Sequence, residues 1–238
     1  TRLLHKKTSE ITAEAIEREF FLHKTEIRLL MASYKAVDAR LKSPEKIEAI
    51  CQNLIYTANI IVLDLGPAIT AETEKALPFC NELVVPFEST QQILTRTDSL
   101  ICDLAERGFG EGRINAVLYN RSRSELNMSL VSVQQVFKHP IAVVFTPAPE
   151  VIFQAARANM PLVAQQTDHL TSQQFIKLAD LILKRVPLPI GFAVRNTRPP
   201  SRTSGMFSPV ALPFASTMAS PKRRSKRVGF TSTPSPWG

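Results

Sequence analysis

The sequence predicts an α/β fold, a mostly parallel sheet with flanking helices, followed by a tail without a packed core. Three observations predict it. Short runs of Val, Ile and Leu alternate with amphipathic segments of helical period, the order that gives βαβ units with right-handed crossovers. One run, Asn59-Ile60-Ile61-Val62-Leu63-Asp64, is unbroken and ends at a carboxylate before Gly66-Pro67, as in a strand buried on both faces of a parallel sheet. The composition then changes at Pro187. Nine of the 17 prolines lie from Pro187 onward, with apolar residues occurring singly. Such a segment cannot bury enough surface to offset its ordering entropy, so 187–238 is read as a disordered tail and 1–186 as the folded domain.

Charge divides at the same place. Net charge is +8 over 238 residues, yet all 21 acidic residues precede Pro187. The tail carries eight basic residues (Arg195, Arg198, Arg202, Lys222, Arg223, Arg224, Lys226, Arg227), leaving 21 basic against 21 acidic in the domain. The folded part is formally neutral, so the basic balance does not indicate a nucleic-acid-binding surface on it. A hydrophobic share of 44% is enough for a sizeable core.

The elements follow in order. Thr8-Ser9-Glu10 offers a hydroxyl cap, with Ile11, Ala15, Ile16 and Phe20 at helical spacing. Glu26 to Ala32 is expected as a strand. Ser43-Pro44 starts a helix, Ser as cap and Pro at the first helical position, with Ile47, Ile50, Leu54 and Ile55 on one face. The run ending at Asp64 follows, then a short helix over Thr70–Leu77. Glu82 to Phe87 is a strand, with Pro86 near its end because proline donates nothing to a ladder. Thr90 to Arg107 is an amphipathic helix that Gly108 stops. Arg113 to Arg121 and Pro140 to Pro147 are further strands. Ser129 to Phe137, Pro149 to Asn159 and Thr171 to Arg185 are helices.

Several chemistries have no carrier in these residues. Gly108-Phe109-Gly110-Glu111-Gly112 lies after a helix and before a strand, with no Lys-Ser/Thr behind it. It reads as a helix stop and turn, not a phosphate cradle. No G-x-S-x-G occurs. Cys51, Cys80 and Cys102 have no metal-ligand spacing and read as small core residues in a reducing cytosol. His5, His23, His139 and His169 show no zinc pattern. No export signal and no membrane span stand out. What is left are polar or turn residues at strand ends: Asp64, Asn120 and Pro147. In open α/β sheets, ligands bind at the carboxyl ends of the strands. Asp64 fits that rim as well as it fits a cap on the following turn.

The segments in this order resemble the carboxyl-terminal two-thirds of a MinD/ParA-type deviant-Walker P-loop ATPase, most of all the CpaE/TadZ branch of pilus-assembly proteins. The matching pieces are Ile60-Ile61-Val62-Leu63-Asp64-Leu65-Gly66, like the second acidic strand (Walker B), and Asn81-Glu82-Leu83-Val84-Val85-Pro86 leading into the helix that begins Glu88-Ser89-Thr90. Further on come Ala116-Val117-Leu118-Tyr119-Asn120-Arg121 and Val143-Val144-Phe145-Thr146-Pro147. His23 to Leu30 is similar to the segment before the acidic strand. The resemblance covers roughly Ser9 to Val186.

It implies a P-loop NTPase-like fold, incomplete at the amino end, in an often dimeric ATPase that positions other machinery in the cell. ATP and Mg²⁺ are the implied cofactors. Asp64 would be the catalytic and metal-binding carboxylate, Asn120 with Arg121 would contact adenine, and Pro147 would close over the base. The family's P-loop, its signature lysine and its Mg²⁺-ligating switch aspartate would precede residue 1. Without them this chain is expected not to hydrolyse ATP. Either the sequence is truncated or it is a degenerate relative kept as a scaffold. Loss of the P-loop strand would expose two apolar edges, which favours truncation. Partners are then protein components of a positioning or secretion apparatus, a second copy in a homodimer, and an anionic membrane at the polybasic 222–227 cluster, with nucleic acid less favoured. The location is cytoplasmic or peripheral at the inner membrane face. The competing reading is a non-catalytic partner-binding protein that uses the α/β domain and the tail, the cluster itself being a solvated extension.

Overall fold

The computed structural model describes residues 2–33, 35–120 and 128–186, all within one compact unit, Thr1–Phe192. The tail from Pro187 and Arg121 lie outside the described residues. Buried Leu3, Leu4, Ile11 and Ile16 gather the amino-terminal segment onto Ala49, Ile50 and Leu54. Helix α1, Ala13–Glu17, is capped by Thr12, whose Oγ1 accepts from Ala15 N at 3.2 Å. The cap expected at Thr8-Ser9 instead lies in a 3-10 turn, Thr8–Glu10. The Glu10 carboxylate accepts from Lys7 N at 3.0 Å and closes that turn before the helix begins.

Strands β1, Phe21–Leu22, and β2, Arg28–Leu29, pair antiparallel as a hairpin. The longer strand expected over Glu26–Ala32 is thus cut to two residues, because Glu26 turns the chain at φ 65°. The hairpin tip is anchored far along the chain. His23 Nε2 lies 2.9 Å from Asn159 O, and Lys24 Nζ donates to Ala158 O at 2.9 Å. A cation at a helix carboxyl end meets the dipole favourably.

Helix α2, Pro44–Leu54, starts as the sequence predicts, with Ser43 Oγ accepting from Lys46 N at 3.3 Å. The run after it does not behave as expected. Residues 59–65 belong to no strand of the sheets formed by the described residues. Ile61 and Leu63 pack against the amino-terminal cluster, and Leu65 against the sheet's core. Val62 is 91% exposed and Ile60 49%. The segment is therefore half-buried, and the expectation of a strand buried on both faces is corrected. Its backbone groups find no neighbouring strand, so only one row of side chains is covered. Helix α3, Ala71–Ala76, then starts on Thr70, whose Oγ1 accepts from Thr73 N.

The remainder is the βα alternation that the sequence predicts: β3, Leu83–Phe87; α4, Gln91–Glu106; β4, Ile114–Tyr119; α5, Leu130–Val136; β5, Ile141–Phe145; α6, Pro149–Arg157; α7, Leu162–Gln165; and α8, Leu170–Leu183. Only α7, a single turn, has no forecast. Gly108 ends α4 at φ 90°, a conformation that only glycine adopts without strain. The strands form a parallel sheet in the order β3-β4-β5. One core holds Leu83, Val85, Phe87, Leu94, Ile101, Leu104, Ala116 and Leu118 between the sheet, α4 and α5. On the other face α8 lays Leu178 and Leu181 over Val117, Val143 and Phe145. That cover stops short of β3, where Val84 is 43% exposed and Pro86 faces solvent.

Of the three cysteines, Cys51 is buried, Cys80 is half-buried and Cys102 is exposed. The core role expected of all three therefore fails for Cys102. Burial pushes the Cys51 thiol up to about 11. Burial also raises the Cys80 thiol, against the opposing Arg113 guanidinium.

Candidate functional site

Parallel pairing puts the carboxyl ends of the three strands on one rim. The register Phe87↔Leu118 ends the β3 pairing, and Tyr119↔Phe145 ends that of β4 with β5. Whatever follows these residues stands at the same edge: Glu88 and Ser89 after β3, Asn120 after β4, Thr146 and Pro147 after β5.

A hydrogen bond joins the first two strand ends. Ser89 Oγ donates to Asn120 Oδ1 at 3.0 Å. Ser89 is fully buried, and its carbonyl accepts from Met128 N at 2.8 Å. One serine thus ties the end of β3 to Asn120 and to the chain where it returns at Met128. Asn120 itself is half-buried, and its Nδ2 has no hydrogen-bond partner among the described residues. The third strand end is fixed from the opposite face. Gln174 Oε1, on α8, accepts from Thr146 N at 3.0 Å and lies 3.4 Å from Thr146 Oγ1. Pro147 is half-buried just beyond.

Asn120 and Pro147 are therefore brought to neighbouring positions. Asp64 is not joined to them by strand pairing, hydrogen bond or ion pair. Its side chain is exposed, and Oδ1 accepts from Gly66 N at 3.1 Å, with Gly66 at φ 77°. That is an Asx-type turn, the local role the sequence left open. Arg121 lies outside the described residues. Ser89 and Gln174 were not singled out in the sequence. Ser89 carried a faint signal, a hydroxyl at a strand-to-helix junction, and Gln174 carried none.

The implied groups fit unequally. A purine edge fits the half-buried Asn120 amide, whose Nδ2 donors have no partner among the described residues. Mg²⁺ does not fit the described residues. Asp64 is a lone exposed carboxylate engaged in its own turn, and among the described residues no three His, Cys, Asp or Glu side chains converge. The described residues also hold no glycine-rich loop with lysine where a phosphate could be cradled. Among them no helix is long and apolar enough to cross a membrane.

No protein-family model and no curated protein sequence matches the chain. Solved structures do. The chain is similar to the cell division ATPase MinD of Pyrococcus furiosus at 18% identity, covering 76% of each chain with a TM-score of 0.62. It is similar to the septum site-determining protein MinD of Pyrococcus horikoshii OT3, complexed with Mg-ADP, at 20% identity, 76% of each chain and a TM-score of 0.61. It is also similar to a ParA family ATPase from Chlorobium tepidum TLS at 14% identity, covering 72% of this chain and 71% of that one, with a TM-score of 0.63. At these identities the likeness speaks for the backbone, and the described residues have the α/β fold of MinD/ParA-type ATPases.

Proposed function

We propose that this chain serves the adenine-binding end of a MinD/ParA-type ATPase, with Asn120 reading the base and Pro147 closing beside it. The observation that carries the reading is the placement of Asn120. It follows a buried parallel strand, its side-chain oxygen is held by Ser89, and its amide donors have no partner among the described residues. An Asn side chain in that pose can meet the N6/N7 edge of adenine with two hydrogen bonds. The P. horikoshii protein of the same fold is complexed with Mg-ADP, which supports nucleotide binding as the reading.

The phosphate end is proposed to be silent in this chain. Phosphoryl transfer depends on cationic and Mg²⁺ stabilisation of the phosphates, and the sequence given contains no Gly-Lys-Ser/Thr. On this reading Asp64 and Arg121 act only if a phosphate-binding segment is present. Service in pilus assembly or cellular positioning, pairing with a second copy, and contact of Lys222–Arg227 with an anionic membrane belong to the same reading. For the last, the support is the density of charge in the cluster.

Titration with ADP tests the base-reading role. Wild-type protein should bind in the high micromolar to millimolar range, and Asn120→Ala should weaken binding about tenfold, one to three kcal/mol being roughly what a bidentate base contact contributes. Equal affinity of the two proteins would remove Asn120 from the site. A partner-binding scaffold is the second reading, favoured by the uncovered Val62, Ile60 and Val84. Apolar surface left open in this way invites another chain.

A further inference from the structure

We infer that Ser89 is the residue that sets which purine Asn120 accepts, by fixing the orientation of its amide; this rests on the base-reading role of Asn120 proposed above. An asparagine amide is nearly symmetric in shape, and its two ends carry opposite chemistry. Left alone at a rim, it can turn either end towards a ligand, and so reads a 6-amino and a 6-oxo purine about equally. Ser89 removes that freedom. Its Oγ donates to Asn120 Oδ1 at 3.0 Å, and the residue is fully buried. If the amide flipped, Nδ2 would face the hydroxyl and Ser89 would have to accept instead of donate. Its own proton would then lack an acceptor in a place water does not reach, a costly state for a buried polar group.

Ser89 itself cannot move aside. The carbonyl of the same residue accepts from Met128 N at 2.8 Å, and two residues on, the chain has already entered α4 at Gln91. The clamp is thus part of the strand-to-helix junction.

The consequence is a fixed pattern at the rim. Among the described residues the Nδ2 donors have no partner, which leaves them to meet an acceptor such as N7. Oδ1 keeps one lone pair beside them, suited to a donor such as the 6-amino group. Adenine satisfies both. Hypoxanthine presents an acceptor at position 6 against the Oδ1 lone pair, so one contact turns repulsive. Ser89 is therefore a positioning residue that does not touch the base and yet decides between bases.

The experiment compares ADP and IDP, which carry identical phosphates, on the full chain by ¹⁵N-detected titration of side-chain amides, with the Asn120 resonance assigned through its loss in Asn120→Asp. Wild type should prefer ADP about tenfold, with the Asn120 amide shifting on binding. Ser89→Ala should bring the preference below about threefold, while Ser89→Thr, which keeps the hydroxyl, should restore it. A general loss of packing would weaken both ligands together and leave the ratio alone. An unchanged ratio in Ser89→Ala overturns the inference but leaves the base-reading role standing. A wild-type Asn120 amide that responds to neither nucleotide overturns both. If Ser89→Ala does not fold, Ser89→Thr still decides: with the hydroxyl kept, a lost ADP preference overturns the inference and a kept one supports it.

Discussion

Asn115 offers a sharp test of how the sheet is held at the end opposite the candidate site. It lies on β4 at 1% exposure. Its Nδ2 donates to Glu82 Oε2 at 2.9 Å and to Leu83 O at 3.2 Å. Its Oδ1 accepts from Arg185 Nη1 at 3.1 Å, and the same guanidinium nitrogen donates to Gly112 O at 2.9 Å. One amide therefore links β3, β4 and the residue just past α8, with Arg185 and Glu82 themselves 3.7 Å apart. Asn115→Ala removes three hydrogen bonds in a place with almost no water. At about 1 kcal/mol each, the loss is about 3 kcal/mol. For a domain of this size each kcal/mol moves the midpoint by roughly 2–4 °C, which gives a fall of about 6–12 °C. Asn115→Asp should be worse, since it sets a second carboxylate beside Glu82. Arg185→Ala should cost only about 1 kcal/mol, because that side chain is 43% exposed. Thermal unfolding followed by circular dichroism measures all three. A fall of under 2 °C in Asn115→Ala would refute the argument that this network holds the strands.

Other expectations follow from single residues. Val62→Lys should leave the midpoint within about 1 °C and reduce self-association in light scattering, because the side chain is 91% exposed on a segment paired with no strand of the described residues; a large loss of stability would mean the segment is buried after all. An aromatic disulfide reagent should label Cys102 first and Cys51 last, following their exposure and the raised Cys51 thiol. The same thiol makes a stability prediction. Its folded value of about 11 lies above the reference 9.0, so stability is complete below pH 9 and declines as the unfolded thiol ionises between pH 9 and 11; the decline should be shallower in Cys51→Val, and identical slopes would contradict it. Deleting residues 187–238 should change the midpoint by less than about 3 °C, and binding to anionic vesicles that depends on Lys222–Arg227 should weaken as salt rises.

Much of the fold was legible because its signals are local. Ser43-Pro44 announces α2, Gly108 ends α4, and the apolar runs of β3, β4 and β5 stand between helical segments. What was not legible depends on distant partners. The run at 59–65 has the apolar content of a central strand, but whether it is one depends on a neighbour to pair with, and content does not supply that. The β1-β2 hairpin is anchored on Ala158 and Asn159, more than 130 residues away, which no local pattern records. At the site, Asn120 and Pro147 could be found as polar and turn residues at strand ends. Ser89 carries only a faint signal there, because its role lies in a bond to a residue 31 positions on. Asp64 shows the opposite ambiguity, since a carboxylate after an apolar run looks the same whether it faces a ligand or closes its own turn.

The central claim is that the described residues hold a base-reading rim and no phosphate cradle. Comparing adenosine with ADP on the full chain, in Mg²⁺ buffer by calorimetry or amide titration, tests it most directly. The account predicts affinities within about threefold of each other, both weakened about tenfold in Asn120→Ala. ADP binding a hundredfold tighter than adenosine, about 2.7 kcal/mol, would contradict it and place a phosphate site in this chain.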